Sequence, residues 1–266
     1  MEAPRSANGN GNGTLLAASG LTKTFGGLAA VKDVSFKLNG GTIKAIIGPN
    51  GAGKTTLYDL LTSIYLPDEG SVLFQGREII GLPTHEITAL GIARTFQTIR
   101  LFTRMTVMEN VTIGLHHRTK AGMIKSSLRF PSACREESWM GEEALRLLDI
   151  VGLEMQAESL AGSLPFGQQR LLELARALAT QPRVMLLDEP ASGLNAYETR
   201  ELGEIIYRVR DMGVTVILVE HDMGLVMRIS DEVLVLDYGE IIAEGTPAEV
   251  RVDPKVIEAY LGSELD

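Results

Sequence analysis

The stretch GPNGAGKTT at residues 48–56 restricts the folds open to this chain more than any other segment. It fits the pattern G-x-x-x-x-G-K-[ST]. The apolar TIKAIIG precedes it, and the run from Lys54 to Leu61 that follows meets no breaker until Pro67. A strand, a tight loop and a helix are therefore expected in that order. Gly48, Gly51 and Gly53 let the backbone curl with no Cβ in the way, so that successive N–H groups converge on one point. An anion suits such a point. Pro49, Asn50 and Ala52 complete a loop that would wrap phosphates. Lys54 would reach the β- and γ-phosphates of a nucleotide, the Thr55 hydroxyl would ligate Mg²⁺, and Thr56 adds a phosphate contact.

A second acidic signal closes the run RVMLLDEP at residues 183–190. Asp188, at the end of an apolar strand, is placed to hold Mg²⁺ through water, and Glu189 to polarise an attacking water as general base. VMLLD, VTVILVE and VLVLD are apolar throughout and alternate with amphipathic helices, which predicts an α/β fold whose mostly parallel sheet is covered on both faces. Ala144, Leu147, Leu148 and Val151 share one helical face that Gly152 ends. Leu171, Leu174, Ala175 and Leu178 form another, and Leu202, Ile205, Ile206 and Val209 a third. Asn195 and Glu198 have capping-box spacing, and Thr84 is expected to cap a short helix that Gly91 stops. LLAASGLTKTF, VKDVSFKLN and SVLFQG are β-rich. Residues 115–141 read as loops and short helices, an insertion rather than core.

With 266 residues, 45% hydrophobic, the chain can bury one substantial core with a smaller lobe attached. A formal charge of −9 and no Lys/Arg cluster argue against a nucleic-acid partner. The longest apolar runs fall well short of the roughly 20 residues that span a bilayer, so any membrane role is peripheral. Residues 1–13, rich in Gly and Asn, are expected to be a flexible tail without the apolar stretch of a secretory signal. The single cysteine, Cys134, fits a reducing compartment. His116 and His117 are too few for a metal site. No N-K-x-D guanine-binding motif occurs.

In this order the motifs resemble those of the nucleotide-binding subunits of ATP-binding-cassette transporters, over residues 14–262. GPNGAGKTT resembles the Walker A loop and VMLLDE the Walker B strand. Gln97, in ARTFQTIRLF, matches the glutamine that joins Mg²⁺ and water to the transmembrane partner. SGLN at residues 192–195 resembles the D-loop, His221 in LVEHDM the switch histidine on the γ-phosphate, and Phe25 the aromatic that stacks on adenine. The resemblance implies a P-loop NTPase (RecA-like) core with an antiparallel β subdomain and a helical subdomain. One ATP-binding domain would then span residues 14–266, with the helical part near 98–165.

SLPFGQQR, residues 163–170, takes the place of the family's LSGGQ signature. Pro165 offers neither the serine hydroxyl nor an N–H. The N–H groups of Phe166, Gly167 and Gln168 remain to face an anion at the positive end of a helix. The resemblance further implies ATP and Mg²⁺ as cofactors and a head-to-tail dimer with an identical or paralogous chain. Membrane permease subunits, a solute-binding protein reached through them, and a peripheral place on the cytoplasmic face of the inner membrane also follow from it. FGGLAAVKDVSF, LPFGQQRLLELARAL and the terminal VIEAYLG are similar to the ATPase subunits of branched-chain amino-acid importers. Urea-type importers, the lipopolysaccharide-export ATPase and an ATP-gated dimerisation switch stay open as alternatives. Glu189 separates the last, since a switch needs no base.

Overall fold

The structure is a computed structural model, which describes residues 13–115 and 131–262. The tail at residues 1–12, His116, His117 and the side chain of Cys134 lie outside the described residues. β1 (Thr14–Phe25), β2 (Leu28–Asn39), β4 (Glu69–Phe74) and β5 (Arg77–Glu78) form an antiparallel sheet in the order β2-β1-β4-β5. A second sheet contains β3 (Ile43–Ile47), β6 (Ile92–Arg94), β7 (Val184–Asp188), β8 (Thr215–Val219), β9 (Glu232–Asp237) and β10 (Glu240–Gly245). Its order is β10-β9-β3-β8-β7-β6, parallel except where β10 folds back on β9. Tyr238 and Gly239, both at positive φ, make that reversal, the backbone hand that matches strand twist in a tight hairpin.

The apolar strands are explained by what lies on each side of them. Val184, Leu186, Ile217 and Val219 face one core, shared with the antiparallel sheet and with α1 (Lys54–Leu61). Met185, Leu187, Val216 and Leu218 face the opposite core. Alternation along each strand thus delivers apolar side chains to two layers, and no position is left for a solvated residue. The second layer consists of α3 (Val107–Leu115), α4 (Pro131–Ile150), α5 (Phe166–Leu178) and α6 (Ala196–Asp211). Beneath β3 and β9 a smaller core gathers α7 (Met223–Ile229), α8 (Pro247–Arg251) and α9 (Pro254–Gly262).

The three helical faces expected from the sequence are buried as drawn, and the Asn195–Glu198 capping box forms at the start of α6. Two local expectations fail. The cap of α2 (Thr84–Leu90) is Pro83, whose φ of −60° and ψ of 147° supply the extended cap conformation. Thr84 therefore falls inside the helix, where its carbonyl accepts from the Thr88 hydroxyl at 3.0 Å. Residues 131–140 are not loops and short helices but the first half of α4, continuous through Gly141. A mid-helix glycine costs only about 1 kcal/mol against alanine, and the packing of the later turns on α3 and α5 offsets it.

Leu148, fully buried between these helices, gives the layer a simple test. Leu148→Ala should lower unfolding free energy by about 2–5 kcal/mol in denaturant melts, and a shift below about 1 would mean the helices there are loosely packed.

Candidate functional site

β3 ends beneath the antiparallel sheet, and the loop at residues 48–53 turns the chain into α1. Gly48 has no alternative there: with its φ of 151°, a Cβ would lie 2.1 Å from the Leu236 carbonyl oxygen. Gly53, left-handed at φ 98°, is the cap of α1 and contributes no side chain to its N-terminus. The first N–H groups of that helix are thus left pointing into the loop. The Lys54 ammonium folds back over it, donating to the carbonyls of Gly48 at 2.7 Å and Pro49 at 2.8 Å. Burial draws the Lys54 pKa below the usual lysine value, while the Glu189 carboxylate pulls it up again. Thr55 is exposed and Thr56 half-buried at the loop's mouth. One turn later, the Tyr58 hydroxyl donates to the Leu187 carbonyl at 3.2 Å, which seats α1 against the end of β7.

Asp188 and Glu189 leave β7 in different directions. Asp188 is buried, and its Oδ2 accepts from Arg94 Nη2 at 3.0 Å. Burial pushes its carboxyl above the usual range; Arg94 opposes that shift, while Glu189 and Asp59 add to it. Glu189 sits at φ 45°, a left-handed conformation uncommon outside glycine, fixed by its N–H donating to the Val219 carbonyl at 2.9 Å. Its Oε2 accepts from Gln97 Nε2 at 2.9 Å and stands 3.9 Å from His221 Nδ1. Gln97, Glu189 and His221, far apart in sequence, therefore meet at one point, and the field of Glu189 reaches Lys54. The helix after His221 is capped by Asp222, which accepts from Leu225 N–H at 3.0 Å, so the histidine has no part in capping.

The signature-like segment lies elsewhere. Pro165 is the cap of α5, one position earlier than the first turn, with φ −53° and ψ 153°. Phe166, Gly167 and Gln168 supply the first N–H groups of the helix. Gly167 fits because a Cβ would come within 2.6 Å of Glu198 Oε1. Among the described residues no hydrogen bond or ion pair joins residues 166–168 to the loop at 48–56, so the structure does not bring these two groups of candidates together within one chain. Arg170, just beyond, ties α5 to the glutamine segment through the carbonyls of Phe96 at 2.9 Å and of Gln97.

Residues 31–192 match the family described as ABC transporter, and residues 240–266 the family described as branched-chain amino acid ATP-binding cassette transporter. The chain belongs to the ABC transporter ATP-binding family. The cassette is 46% identical to the high-affinity branched-chain amino acid transport ATP-binding protein LivG of Salmonella typhimurium, covering 93% of this chain and 98% of that one. In structure it resembles the ADP conformation of an ATP-binding cassette of an ABC transporter, with a TM-score of 0.82 and 34% identity over 94% of this chain and 99% of the other. A dimeric cassette in a post-hydrolysis state, bound to ADP and Pi, matches with a TM-score of 0.73 and 25% identity over 87% of this chain and 98% of its own.

Phe25 of the cassette is 44% exposed, which sets it apart from core aromatics, and meets Tyr65 edge to face with ring centroids 5.3 Å apart. Three residues at the site escaped sequence reasoning. Tyr65 lies in an unpatterned stretch after α1 and gave no signal. Glu220 does carry one: an acid at the end of an all-apolar strand. It is buried and accepts from the N–H groups of Ala191 at 2.7 Å and His221 at 3.0 Å, linking the segment after Glu189 to the one bearing the histidine. Burial raises its pKa, and those backbone donors restrain the rise. Arg94 stood in the quoted ARTFQ, a cation in a buried parallel strand, a place where an unpaired charge would be costly.

Proposed function

We propose that the cassette hydrolyses ATP to power import of branched-chain amino acids through membrane permease subunits. The meeting of Gln97, Glu189 and His221 within reach of Lys54's field carries the chemical part. The branched-chain amino acid transport of the relatives supports the solute, and favours it over urea-type import, lipopolysaccharide export or a non-hydrolysing switch. The loop Gly48, Pro49, Asn50, Gly51, Ala52, Gly53 would wrap the triphosphate, with Lys54 and Thr56 on phosphate oxygens and Phe25 under the adenine. Glu189 takes the proton of the attacking water, Gln97 orients that water, and His221 steadies the γ-phosphate.

Mg²⁺ fits the donors present. Among the described residues no three His, Cys, Asp or Glu side chains cluster as a protein cage. A single buried carboxylate, Asp188, suits an ion that keeps its waters and shares phosphate oxygens. Thr55, Gln97 and Asp188 would hold it, and its charge would offset that of the β- and γ-phosphate oxygens. Phe166, Gly167 and Gln168 would cap the ATP of a second cassette, identical or paralogous, in a head-to-tail dimer. The separation of these residues from the cassette's own loop and the existence of a dimeric relative support this arrangement.

A cleft of about 410 Å³ beside the Gln97 segment is lined by Phe96, Arg100, Phe102 and Arg176 and would receive a permease segment. No helix among the described residues is long and apolar enough to cross a membrane. Such docking would place the cassette peripherally on the cytoplasmic face, with a solute-binding protein acting on the permease from the other side.

The test is uptake into vesicles carrying co-expressed permease subunits of the branched-chain amino-acid type, with a matching binding protein outside and ATP inside. Leucine uptake that requires both is expected; ATP turnover with no response to any branched-chain amino acid would remove the solute assignment. Pro165→Ser supplies the hydroxyl that this chain lacks there while keeping the backbone donors of α5. ATPase activity is expected to hold or rise, and a collapse would show that proline itself shapes the turn.

A further inference from the structure

Arg94 is held by five neighbours. Its Nη1 donates to Asp59 Oδ1 at 2.6 Å and to the Thr62 hydroxyl at 3.2 Å, and its Nη2 to Asp188 Oδ2 at 3.0 Å. The guanidinium carbon lies 5.6 Å from the Tyr58 ring centroid and 5.3 Å from that of Phe96. Its side chain is 8% exposed, and those of Asp59 and Asp188 are 15% and 8% exposed. The strand register explains the placement: Arg94 stands opposite Leu186, two residues before Asp188 on the neighbouring strand. Three residues later, Gln97 donates to Glu189. The segment from Arg94 to Gln97 therefore grips both members of the Asp188–Glu189 pair, one acid each, and its other side lines the cleft beside Arg100 and Phe102.

We propose that Arg94 is a positioning residue for the Asp188 carboxylate, holding Oδ2 so that the other oxygen is presented to the metal's water shell. This rests on the assignment of Asp188 as a Mg²⁺ ligand. Arg94 could instead compete with the cation for Asp188, but its anchors speak against that. A guanidinium bonded to Asp59 and Thr62 and enclosed by two rings has nowhere to withdraw. Among the described residues only Oδ2 of Asp188 accepts a hydrogen bond, so the metal's share is left open. Charge balance points the same way. Without Arg94, the buried Asp188 and the part-buried Asp59 lose the cation between them, and Asp188 loses the bond that fixes its rotamer.

The experiment uses the full chain and a fluorescent ATP analogue, titrated with Mg²⁺ under non-turnover conditions and repeated in EDTA. Arg94→Met should raise the Mg²⁺ concentration needed for half of the fluorescence gain by about tenfold or more, the usual scale for groups that orient a metal ligand. Analogue binding in EDTA should be unchanged, because Lys54 and the loop are untouched. Arg94→Lys keeps the charge without the two-pronged fork and should fall between; if the methionine variant does not fold, this one decides. An unchanged or lowered Mg²⁺ requirement would overturn the proposal, as would an equal loss of binding in EDTA. Asp188→Asn separates the two layers of the argument. If it leaves the Mg²⁺ requirement of the wild type unmoved, the ligand assignment is at fault. If it abolishes the Mg²⁺ response while Arg94→Met behaves as wild type, only the role of Arg94 falls.

Discussion

Glu189→Gln is expected to bind ATP as the parent does and to release phosphate about 10²–10⁴-fold more slowly, the span over which a positioned base accelerates proton transfer. The substitution changes little besides basicity. The backbone of Glu189 is fixed at φ 45° by its N–H bond to Val219, which any side chain keeps. A glutamine at that position can turn its carbonyl oxygen toward Gln97 Nε2, now 2.9 Å from the carboxylate, so the contact between the two segments persists. What disappears is the capacity to accept a proton from water. ATP that is bound and not consumed should keep two cassettes together, because the bridge between protomers would be the triphosphate itself. Phosphate release and size-exclusion elution with MgATP read both effects at once. Wild-type turnover would remove Glu189 as the base, and loss of ATP binding would make it a binding residue instead.

The part of the candidate site that the sequence disclosed is the part that is local in sequence. The loop at 48–56 is one strand–turn–helix unit whose glycine, lysine and threonine positions are fixed by spacing, and the structure builds it as expected. The parallel sheet was equally legible, since strands buried on both faces must be apolar at every position, as Val184 to Leu187 are. Other features depend on neighbours that the sequence does not reveal. That Arg94 would find Asp59 on α1 and Asp188 on β7 depends on β6 pairing with β7 in one register. Glu220 could be noticed as an acid ending an apolar strand, yet its partners, the backbone amides at 191 and 221, belong to loops whose approach is a tertiary fact. The first half of α4 was obscured for a different reason. Gly141 and the mixed polarity of the sequence before it offer no periodic apolar pattern to read, and a helix of 20 residues tolerates both because its later turns carry the packing.

Lys54→Ala is the change expected to act most strongly on binding. The ammonium has three hydrogens, and the carbonyls of Gly48 and Pro49 account for two bonds at 2.7 and 2.8 Å. Those bonds hold the cation over the loop and leave a donor for a phosphate oxygen. Burial lowers the lysine's pKa, so its charge is partly desolvated there, and an arriving anion would compensate for the lost hydration. Removing the side chain loses a charge-assisted bond of about 1.5–3 kcal/mol. It also leaves the Gly48 and Pro49 carbonyls without their donor. Together these should weaken ATP by about 100-fold or more, which calorimetry or displacement of a fluorescent analogue would register. The fold should not respond, because α1 is capped by Gly53 and the buried residues of that helix begin at Leu57. An unaltered thermal midpoint with lost affinity is therefore the expected pair of results, and wild-type affinity would end the assignment of the loop as the triphosphate site. Glu189→Gln makes the contrast: the Glu189 carboxylate acts on the Lys54 ammonium, yet the change at Lys54 should weaken binding and the change at Glu189 should slow only turnover. That division can hold only if the loop neutralises charge while Glu189 handles the proton.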